Sequence, residues 1–265
     1  MTIKVCIAGA TGWVGTELCK AVERANDMQL VGAVSRAGAG QKLQDAIDEI
    51  DSEIIVSGTV AEALAQPTDV MVDYTSAGIV KKNVMTAIEK GVNVVIGSSG
   101  LTDDDFVEID KAARDRQVGV IAAGNFAITA VLLQRFACEA ARYLTQWEII
   151  DYCSATKPDA PSGTARELSY RLAQVKMPEP SYPVGETIGE KAARGATLNG
   201  TQMHSVRLPG FVSSVEAIFG ASGERLSIRH DSMDGAEPYI QGTLLAIRKV
   251  KDQIGLVRGL DKVMD

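Results

Sequence analysis

Near its N-terminus the chain reads IKVCIAGATGWVG (residues 3–15), an apolar run followed directly by a segment with glycine at every third position, 9, 12 and 15. The run predicts a β-strand, and Leu18 and Val22, which follow at helical spacing, predict a helix. A strand, a glycine turn and a helix in this order are typical of dinucleotide-binding folds. A sheet turn that binds no cofactor stays open as the alternative, because a glycine pattern alone is a weak signal.

The three glycines have different expected roles. Gly9 makes the tight turn, Gly12 lets the backbone approach a pyrophosphate, and Gly15 lets the helix pack on the strand.

The second strand, residues 28–34, ends in Ser35 and Arg36 with no acidic residue, and Lys42 is nearby. An acid there would bind the ribose hydroxyls of NAD, whereas a small serine followed by arginine favours the 2′-phosphate of NADP. A solvated surface arginine is the alternative.

The rest of the first half alternates strand-like and helix-like stretches. Short runs rich in valine and isoleucine recur at residues 53–56, 69–74, 92–96 and 118–122. This alternation predicts a parallel sheet with helices on both faces. Small polar residues follow three of these strands, at 74–76, 97–100 and 123–126, where such a sheet holds a cofactor or forms simple turns.

The alternation of strand-like and helix-like stretches ends after residue 126. A helical stripe (Ile128, Leu132, Phe136 and Ala140) precedes predicted strands at 147–153, 201–208, 213–219 and 225–229, one helix at 162–175 and a long loop at 177–199. Strands with few intervening helices predict an open sheet of mixed pairing. The predicted fold class is therefore α/β: an N-terminal Rossmann domain (1–126), joined again by a C-terminal helix in 238–265, and a second α+β domain (127–237) on a mixed open sheet.

Residues 157–165 read KPDAPSGTA, which sets a lysine five residues before a predicted helix start. Ser162 can cap the helix, Gly163 lets a ligand come close to the backbone, and Thr164 adds a hydroxyl beside amides that attract a carboxylate or phosphate. The segment predicts an anion site, with an ordinary helix cap after a proline-rich turn as the alternative.

The net charge and the histidine and cysteine content argue against several classes of function. The 265 residues carry a formal net charge of −7, which argues against binding to nucleic acid or an anionic membrane, so local cations (Lys157, Arg166 and Arg207) must attract an anionic substrate. Two histidines and four scattered cysteines argue against a metal site, a Ser-His-Asp hydrolase and disulfides. The first residues resemble no signal segment, and no apolar run has the length of a membrane span, so we expect a cytoplasmic protein.

The chain resembles the 4-hydroxy-tetrahydrodipicolinate reductases (dihydrodipicolinate reductases) of the lysine and diaminopimelate pathway over nearly its whole length. The resemblance rests on GATGWVG, VMVDYTSAG, VVIGSSG, AAGNF and, most specifically, KPDAPSGTA at matching separations. It implies hydride transfer from a reduced nicotinamide, a second domain for substrate binding and oligomerisation, and a homotetramer. We expect NADPH as the preferred cofactor and NADH as the alternative, because this chain has Ser35 where the resemblance implies an acidic residue after the second strand.

The resemblance also implies roles for individual residues. The pyrophosphate would lie on Gly9, Ala10, Thr11, Gly12, Trp13 and Val14, and the adenosine ribose beside Ser35 and Arg36. The nicotinamide end would border Gly97, Ser98, Ser99, Ala123, Gly124, Asn125 and Phe126. The substrate would meet Ser154, Lys157, Ser162, Gly163 and Thr164.

One departure concerns the substrate. Family members end the strand before Lys157 with two adjacent histidines, one for proton transfer and one for a substrate carboxylate, where this chain has Cys153 and Ser154. Lys157, Tyr152 or Cys153 would then supply the proton, and we prefer the lysine. Three functions stay open: a divergent reductase of this family, a reductase of another small imine or carbonyl compound, and a non-catalytic dinucleotide-binding protein.

Overall fold

A computed structural model describes residues 2–233 and 235–264, which form two compact units: 2–127 together with 235–264, and 128–233. In chain order the strands are β1 (Ile3–Ala8), β2 (Met28–Val34), β3 (Val70–Asp73), β4 (Asn93–Ile96), β5 (Gly119–Ala122), β6 (Gln146–Cys153), β7 (Ala196–Leu198), β8 (Thr201–Arg207), β9 (Ser213–Ala221), β10 (Glu224–Ser232) and β11 (Gly255–Arg258). The helices are α1 (Trp13–Arg24), α2 (Leu43–Ala46), α3 (Val60–Ala63), α4 (Val80–Glu89), α5 (Asp103–Arg116), α6 (Ile128–Ala141), α7 (Gly163–Val175) and α8 (Glu237–Lys249). Within the described residues, none of these helices is long and apolar enough to cross a lipid bilayer.

The first unit contains a fully parallel six-stranded sheet in the order β11-β5-β4-β3-β1-β2. Every residue of β3 and β5 is buried, as expected for a parallel sheet covered on both faces. β1 pairs with β2 on one side and β3 on the other, so the direction of strand addition reverses after β2. Such a switch point opens a crevice at the carboxyl ends of the strands, where α/β proteins bind ligands. The predicted Rossmann sheet is confirmed.

Two segments of the first unit differ from the prediction. Residues 53–56 form only an isolated antiparallel bridge between Ile55 and Lys42, in which the Leu43 N–H donates to the Ile54 carbonyl and the Val56 N–H to the Gln41 carbonyl, and not a continuous strand. The prediction also lacks β11, a strand of four residues that follows α8 and pairs with β5.

The second unit contains a mixed sheet in the order β10-β9-β6-β8-β7, as predicted. β6 is parallel to β8 and antiparallel to β9, and the outer pairs β9-β10 and β7-β8 are antiparallel. Helices α6 and α7 share one core with a single face of this sheet, and its large residues are Leu133, Trp147, Ile149, Leu168, Leu172, Met203 and Phe219. Alternate residues of β6, from Trp147 to Cys153, therefore point into the core.

Helix α6 buries a different face from the predicted stripe. Phe136 is 52 % exposed, and the buried residues are Ala130, Val131, Leu133, Gln134, Ala137 and Ala141. Apolar residues recur at helical spacing on more than one side of this helix, so periodicity alone does not select the packed side. The predicted loop 177–199 also contains regular structure, since two 3₁₀ turns, Val184–Glu186 and Lys191–Arg194, precede β7.

Candidate active site

The glycine turn of the first unit requires glycine at two of its three positions. Gly9 has a φ of +87°, and a Cβ there would lie 2.4 Å from the Tyr74 carbonyl oxygen. A Cβ on Gly15 would lie 2.0 Å from the Gly9 carbonyl oxygen, so this glycine lets α1 pack against the turn. Gly12 is the N-cap of α1 and provides no side-chain cap. The first amides of α1 are therefore available to an anion.

A cavity of about 470 Å³ lies beside this turn, at the switch point of the sheet. The predicted cofactor-binding residues that line it are Gly9, Thr11, Gly12, Ser35 and Arg36. Further lining residues, which were not predicted from the sequence, come from the start of α3 and one face of α4: Gly58, Thr59, Val60, Ala61, Ile79, Lys82, Asn83 and Thr86. Among the described residues that line this cavity, none is an aspartate or glutamate.

Ser35 fixes the end of β2 against the glycine turn. Its hydroxyl lies 2.5 Å from the Thr11 hydroxyl, and its N–H donates to the Ser57 carbonyl. Arg36 beside it is exposed. Lys42, the nearby cation in the sequence, lies 2.8 Å from Glu53 and does not line the cavity.

Three further predicted residues of the glycine turn do not line this cavity. Ala10 is buried and Val14 is half-buried. Trp13 is 62 % exposed, and its ring centroid lies 5.7 Å from that of Tyr239 in an edge-on contact.

The predicted nicotinamide-side residues after β4 lie at the same edge of the sheet but outside this cavity. A Cβ on Gly97 would come 2.2 Å from the Tyr74 ring, so glycine lets this loop pack on the tyrosine. Ser98 Oγ donates to Asp73 Oδ1 at 2.6 Å, and Ser99 is exposed. The structure therefore joins this loop to the end of β3.

The predicted residues after β5 also lie outside the cavity. Phe126 is buried edge-on against Tyr74, with ring centroids 6.1 Å apart. Asn125 Oδ1 accepts from the backbone N–H two residues later, Ala123 is half-buried and Gly124 is exposed.

Asp73, which was not predicted as a site residue, organises this edge of the sheet. Its carboxylate is fully buried at the end of β3 and accepts from the Thr75 N–H (3.0 Å), the Thr75 hydroxyl (2.7 Å) and the Asn83 amide (2.9 Å), in addition to Ser98. A buried carboxylate needs such donors to compensate its lost hydration. Asp73 therefore connects the loops after β3 and β4 to α4. The signal in the sequence is an acidic residue at the end of an apolar strand.

In the second unit, the KPDAPSGTA segment precedes α7 as predicted. Ser162 is the N-cap, and its hydroxyl accepts from the Ala165 N–H at 3.3 Å. A Cβ on Gly163 would meet no atom within 4 Å, so packing does not require glycine there. The missing side chain leaves open space at the first turn of α7, where Thr164 is half-buried. This arrangement suits an approaching anion.

Asp151 holds the loop between β6 and α7 in place from the core side. Its buried carboxylate accepts from the Ser162 N–H (2.9 Å), Arg207 Nη2 (2.7 Å) and Ser205 Oγ (3.3 Å). Arg207 Nη2 also donates to the Asp159 carbonyl at 2.7 Å. Burial alone would raise the pKa of Asp151, but the hydrogen bonds from Ser162 and Arg207 outweigh it and hold the pKa below its usual range.

Two of the three cations that we expected to attract substrate make hydrogen bonds that stabilise the loop between β6 and α7. Asp151 compensates the charge of Arg207. Arg166 donates to the carbonyls of residues 160 and 161, both at 3.0 Å. Arg207 is therefore not an available cation, whereas the exposed Arg166 keeps its charge and its expected role stays a prediction.

The two predicted catalytic side chains have different surroundings. Lys157 Nζ lies 2.8 Å from Asp159 Oδ1 and its side chain is 35 % exposed, so a ligand carboxylate can compete for it. Cys153 is fully buried in the core, and burial raises the pKa of its thiol. Ser154 is half-buried where the loop begins. A neutral, enclosed thiol is poorly placed to protonate or attack a substrate.

Tyr152, the third candidate acid, lies on the opposite face of β6 from Cys153. Its hydroxyl donates to Glu216 at 3.1 Å, and the Arg229 guanidinium lies 4.6 Å from its ring centroid. Burial, followed by the bond to Glu216, raises the pKa of the phenol. Tyr152 therefore belongs to a separate polar cluster.

Comparisons with known proteins agree over both units. The family model "Dihydrodipicolinate reductase, N-terminus" matches residues 3–126, and "Dihydrodipicolinate reductase, C-terminus" matches residues 129–264. The chain is 38% identical to the 4-hydroxy-tetrahydrodipicolinate reductase of Moorella thermoacetica, covering 100% of this chain and 98% of that protein. It is also 38% identical to the enzyme of the same name from Geobacillus thermodenitrificans, with 100% of both covered. A solved structure, dipicolinate-bound dihydrodipicolinate reductase from Paenisporosarcina sp. TG-14, is similar with a TM-score of 0.88 at 32% identity and covers 100% of both chains.

Proposed function

The chain belongs to the dihydrodipicolinate reductase family of NAD(P)H-dependent oxidoreductases, and on this premise we propose that it reduces a small carboxylated cyclic imine, with 4-hydroxy-tetrahydrodipicolinate as the first candidate. The observation that carries the proposal is the segment from Lys157 to Thr164, which combines a partly exposed lysine with open space at the start of α7. Both features favour a carboxylate. The Paenisporosarcina relative binds dipicolinate, which is a ring dicarboxylate.

The residues of the first unit fit a nicotinamide dinucleotide. The glycine turn presents the uncapped amides of α1 to a pyrophosphate, and Val34, Val60 and Ile79 give the adjoining cavity apolar walls that suit adenine. When bound, the dinucleotide supplies a hydride to the electrophilic carbon of the substrate. The protein binds and orients the reactants.

Lys157 has two roles in this proposal. Its ammonium exchanges the Asp159 carboxylate for a substrate carboxylate, or it donates a proton, either to an imine nitrogen or to the hydroxyl group of a 4-hydroxylated substrate, which leaves as water while the hydride takes its place on carbon. The amides of Gly163 and Thr164 bind a carboxylate at the helix start. Ser162 and Asp151 keep that helix start in place.

We propose NADPH as the preferred cofactor and NADH as the weaker one. Support comes from Arg36 at the cavity and from the lack of carboxylates among the described lining residues. Arg36→Ala should weaken NADPH binding by about 1–3 kcal/mol, the usual value of a charge-assisted hydrogen bond, and leave NADH binding nearly unchanged. Calorimetry measures both affinities. Equal affinities in the unmodified protein would refute the preference.

A second candidate is a reductase of a different small imine or carbonyl compound. One observation favours it: Cys153, a buried thiol, and Ser154 stand where the resemblance implies two histidines. NADPH oxidation should be screened against cyclic and linear imines and carbonyl acids, with 4-hydroxy-tetrahydrodipicolinate included. If the substrate has changed, Cys153→His with Ser154→His raises activity on 4-hydroxy-tetrahydrodipicolinate and lowers it on the new substrate. Strong activity of the unmodified chain with no gain from the double change would exclude this candidate.

We further propose that the protein is a cytoplasmic homotetramer that acts on a small anionic substrate. The family resemblance supports the tetramer and the location. Light scattering of the purified chain tests the assembly, and a monomer mass would refute it.

A further inference from the structure

One face of α4 forms a wall of the 470 Å³ cavity, with Ile79, Lys82, Asn83 and Thr86 in contact with it. Their i, i+3, i+4, i+7 spacing places them on one side of the helix. The Asn83 amide donates to the buried Asp73 carboxylate at 2.9 Å, which fixes the rotation of the helix about its axis. Lys82 is therefore held on the side of α4 that faces the cavity.

The charge around this cavity is unbalanced. Arg36 and Lys82 line it, and the described lining residues include no carboxylate, although the whole chain has a net charge of −7. Glu62 lies in α3, whose start also lines the cavity, but its carboxylate accepts from the backbone N–H groups of Gly58 (3.1 Å) and Thr59 (3.2 Å). The lining therefore offers two cations to a ligand of high negative charge.

The neighbouring lysine has a different role. Lys81 Nζ lies 2.7 Å from Asp105 and 2.8 Å from Glu108, both in α5. Lys81 is therefore neutralised by surface ion pairs. Lys82, one residue later, is exposed and has no ion pair among the residues that the structure describes.

We propose that Lys82 is the second cation of a site for the 2′-phosphate of NADPH, acting together with Arg36. The inference rests on the proposed dinucleotide binding and names a residue that determines its specificity. A phosphomonoester carries nearly two negative charges at pH 7, so a single arginine leaves about one charge uncompensated. Lysine provides a compact charge on a flexible stem, which suits an oxygen-rich group that a bidentate arginine already orients.

The test compares two ligands that differ only in the phosphate: 2′,5′-ADP and 5′-AMP. Their dissociation constants are measured by calorimetry at low salt for the unmodified full chain and for Lys82→Ala, Lys82→Glu and the matched control Lys81→Ala. We expect Lys82→Ala to weaken 2′,5′-ADP binding about tenfold (~1.4 kcal/mol). Lys82→Glu should weaken it further, and Lys81→Ala should leave it unchanged. Binding of 5′-AMP should stay the same in all four proteins.

Two results would overturn the assignment: identical 2′,5′-ADP affinity in Lys82→Ala and Lys81→Ala, or an equal loss of both ligands in Lys82→Ala, which would mean that the lysine contacts the adenosine. Thermal unfolding confirms that the exposed substitutions leave the fold intact. If neither 5′-AMP nor NADH binds the unmodified chain, dinucleotide binding itself fails. If both bind and Lys82→Ala has no effect, only the role of Lys82 fails.

Discussion

Replacing Arg207 by methionine should destabilise the second unit by about 3 kcal/mol. Arg207 Nη2 lies 2.7 Å from both the buried Asp151 carboxylate and the Asp159 carbonyl, and methionine keeps the apolar stem but makes neither bond. Removing one partner of a buried ion pair typically costs about 3–5 kcal/mol. The lower value applies because Arg207 is 17 % exposed and Asp151 keeps its bond from the Ser162 N–H.

The destabilisation should depend on pH in a definite direction. In the folded protein, hydrogen bonds hold the pKa of Asp151 below its ordinary value of about 3.9. Ionised Asp151 therefore contributes stability that is fully present above that value and is lost as the pH falls through the folded-state pKa. Arg207→Met removes the compensating cation, so the difference from the unmodified protein should be largest near neutral pH. It should shrink as the pH falls, starting where the carboxylate of the variant, which lacks its cation, becomes protonated, and it should vanish below the folded-state pKa of Asp151 in the unmodified protein.

Urea unfolding followed by circular dichroism measures the difference in the free energy of unfolding between the two proteins, at neutral pH and at successively lower pH values. The matched control is Arg225→Met, an exposed arginine on β10, whose substitution should change the free energy of unfolding by less than about 0.5 kcal/mol. The double variant Asp151→Asn with Arg207→Met should recover part of the loss, because no buried charge is left unpaired. If Arg207→Met is no more destabilising than the control at pH 7, the ion pair does not hold the loop.

Three further results are expected. Asp73→Asn should lower the free energy of unfolding by about 1–3 kcal/mol and weaken dinucleotide binding, since an amide cannot accept all the bonds that the carboxylate accepts; urea unfolding and calorimetry measure these effects. A bound oxidised dinucleotide should quench the fluorescence of exposed Trp13, which follows Gly12 at the start of α1, and unchanged quenching in Trp13→Phe would contradict this. Cys153→Ser should leave kcat nearly unchanged, and a loss of about 10²-fold or more in steady-state assays would instead make the thiol a catalytic group.

Local spacing predicts much of this molecule. The β1 strand, the glycine turn and α1 lie within residues 3–24, and each depends on its immediate neighbours. The same holds for the Ser162 cap of α7, because a serine before a Gly-Thr pair needs no distant partner to begin a helix.

Distant partners determine the parts that the sequence does not predict. The four residues of β11 form a strand because they pair with β5. From the sequence, Arg207 is expected to be an available cation, but Asp151, which neutralises it, is 56 residues away along the chain. Lys81 and Lys82 are equivalent in sequence, and only the packing of α4 separates a surface ion pair from a cavity-lining cation.

The most direct test of the proposed function is the rate of NADPH oxidation with enzymatically generated 4-hydroxy-tetrahydrodipicolinate, measured for the unmodified chain and for Lys157→Ala. We expect turnover by the unmodified chain and a kcat/KM at least about 10²-fold lower in the variant, because the variant lacks the proton donor or carboxylate anchor. NADPH affinity should be equal in the two proteins. No turnover by the unmodified chain, or equal turnover by both, would contradict the proposal.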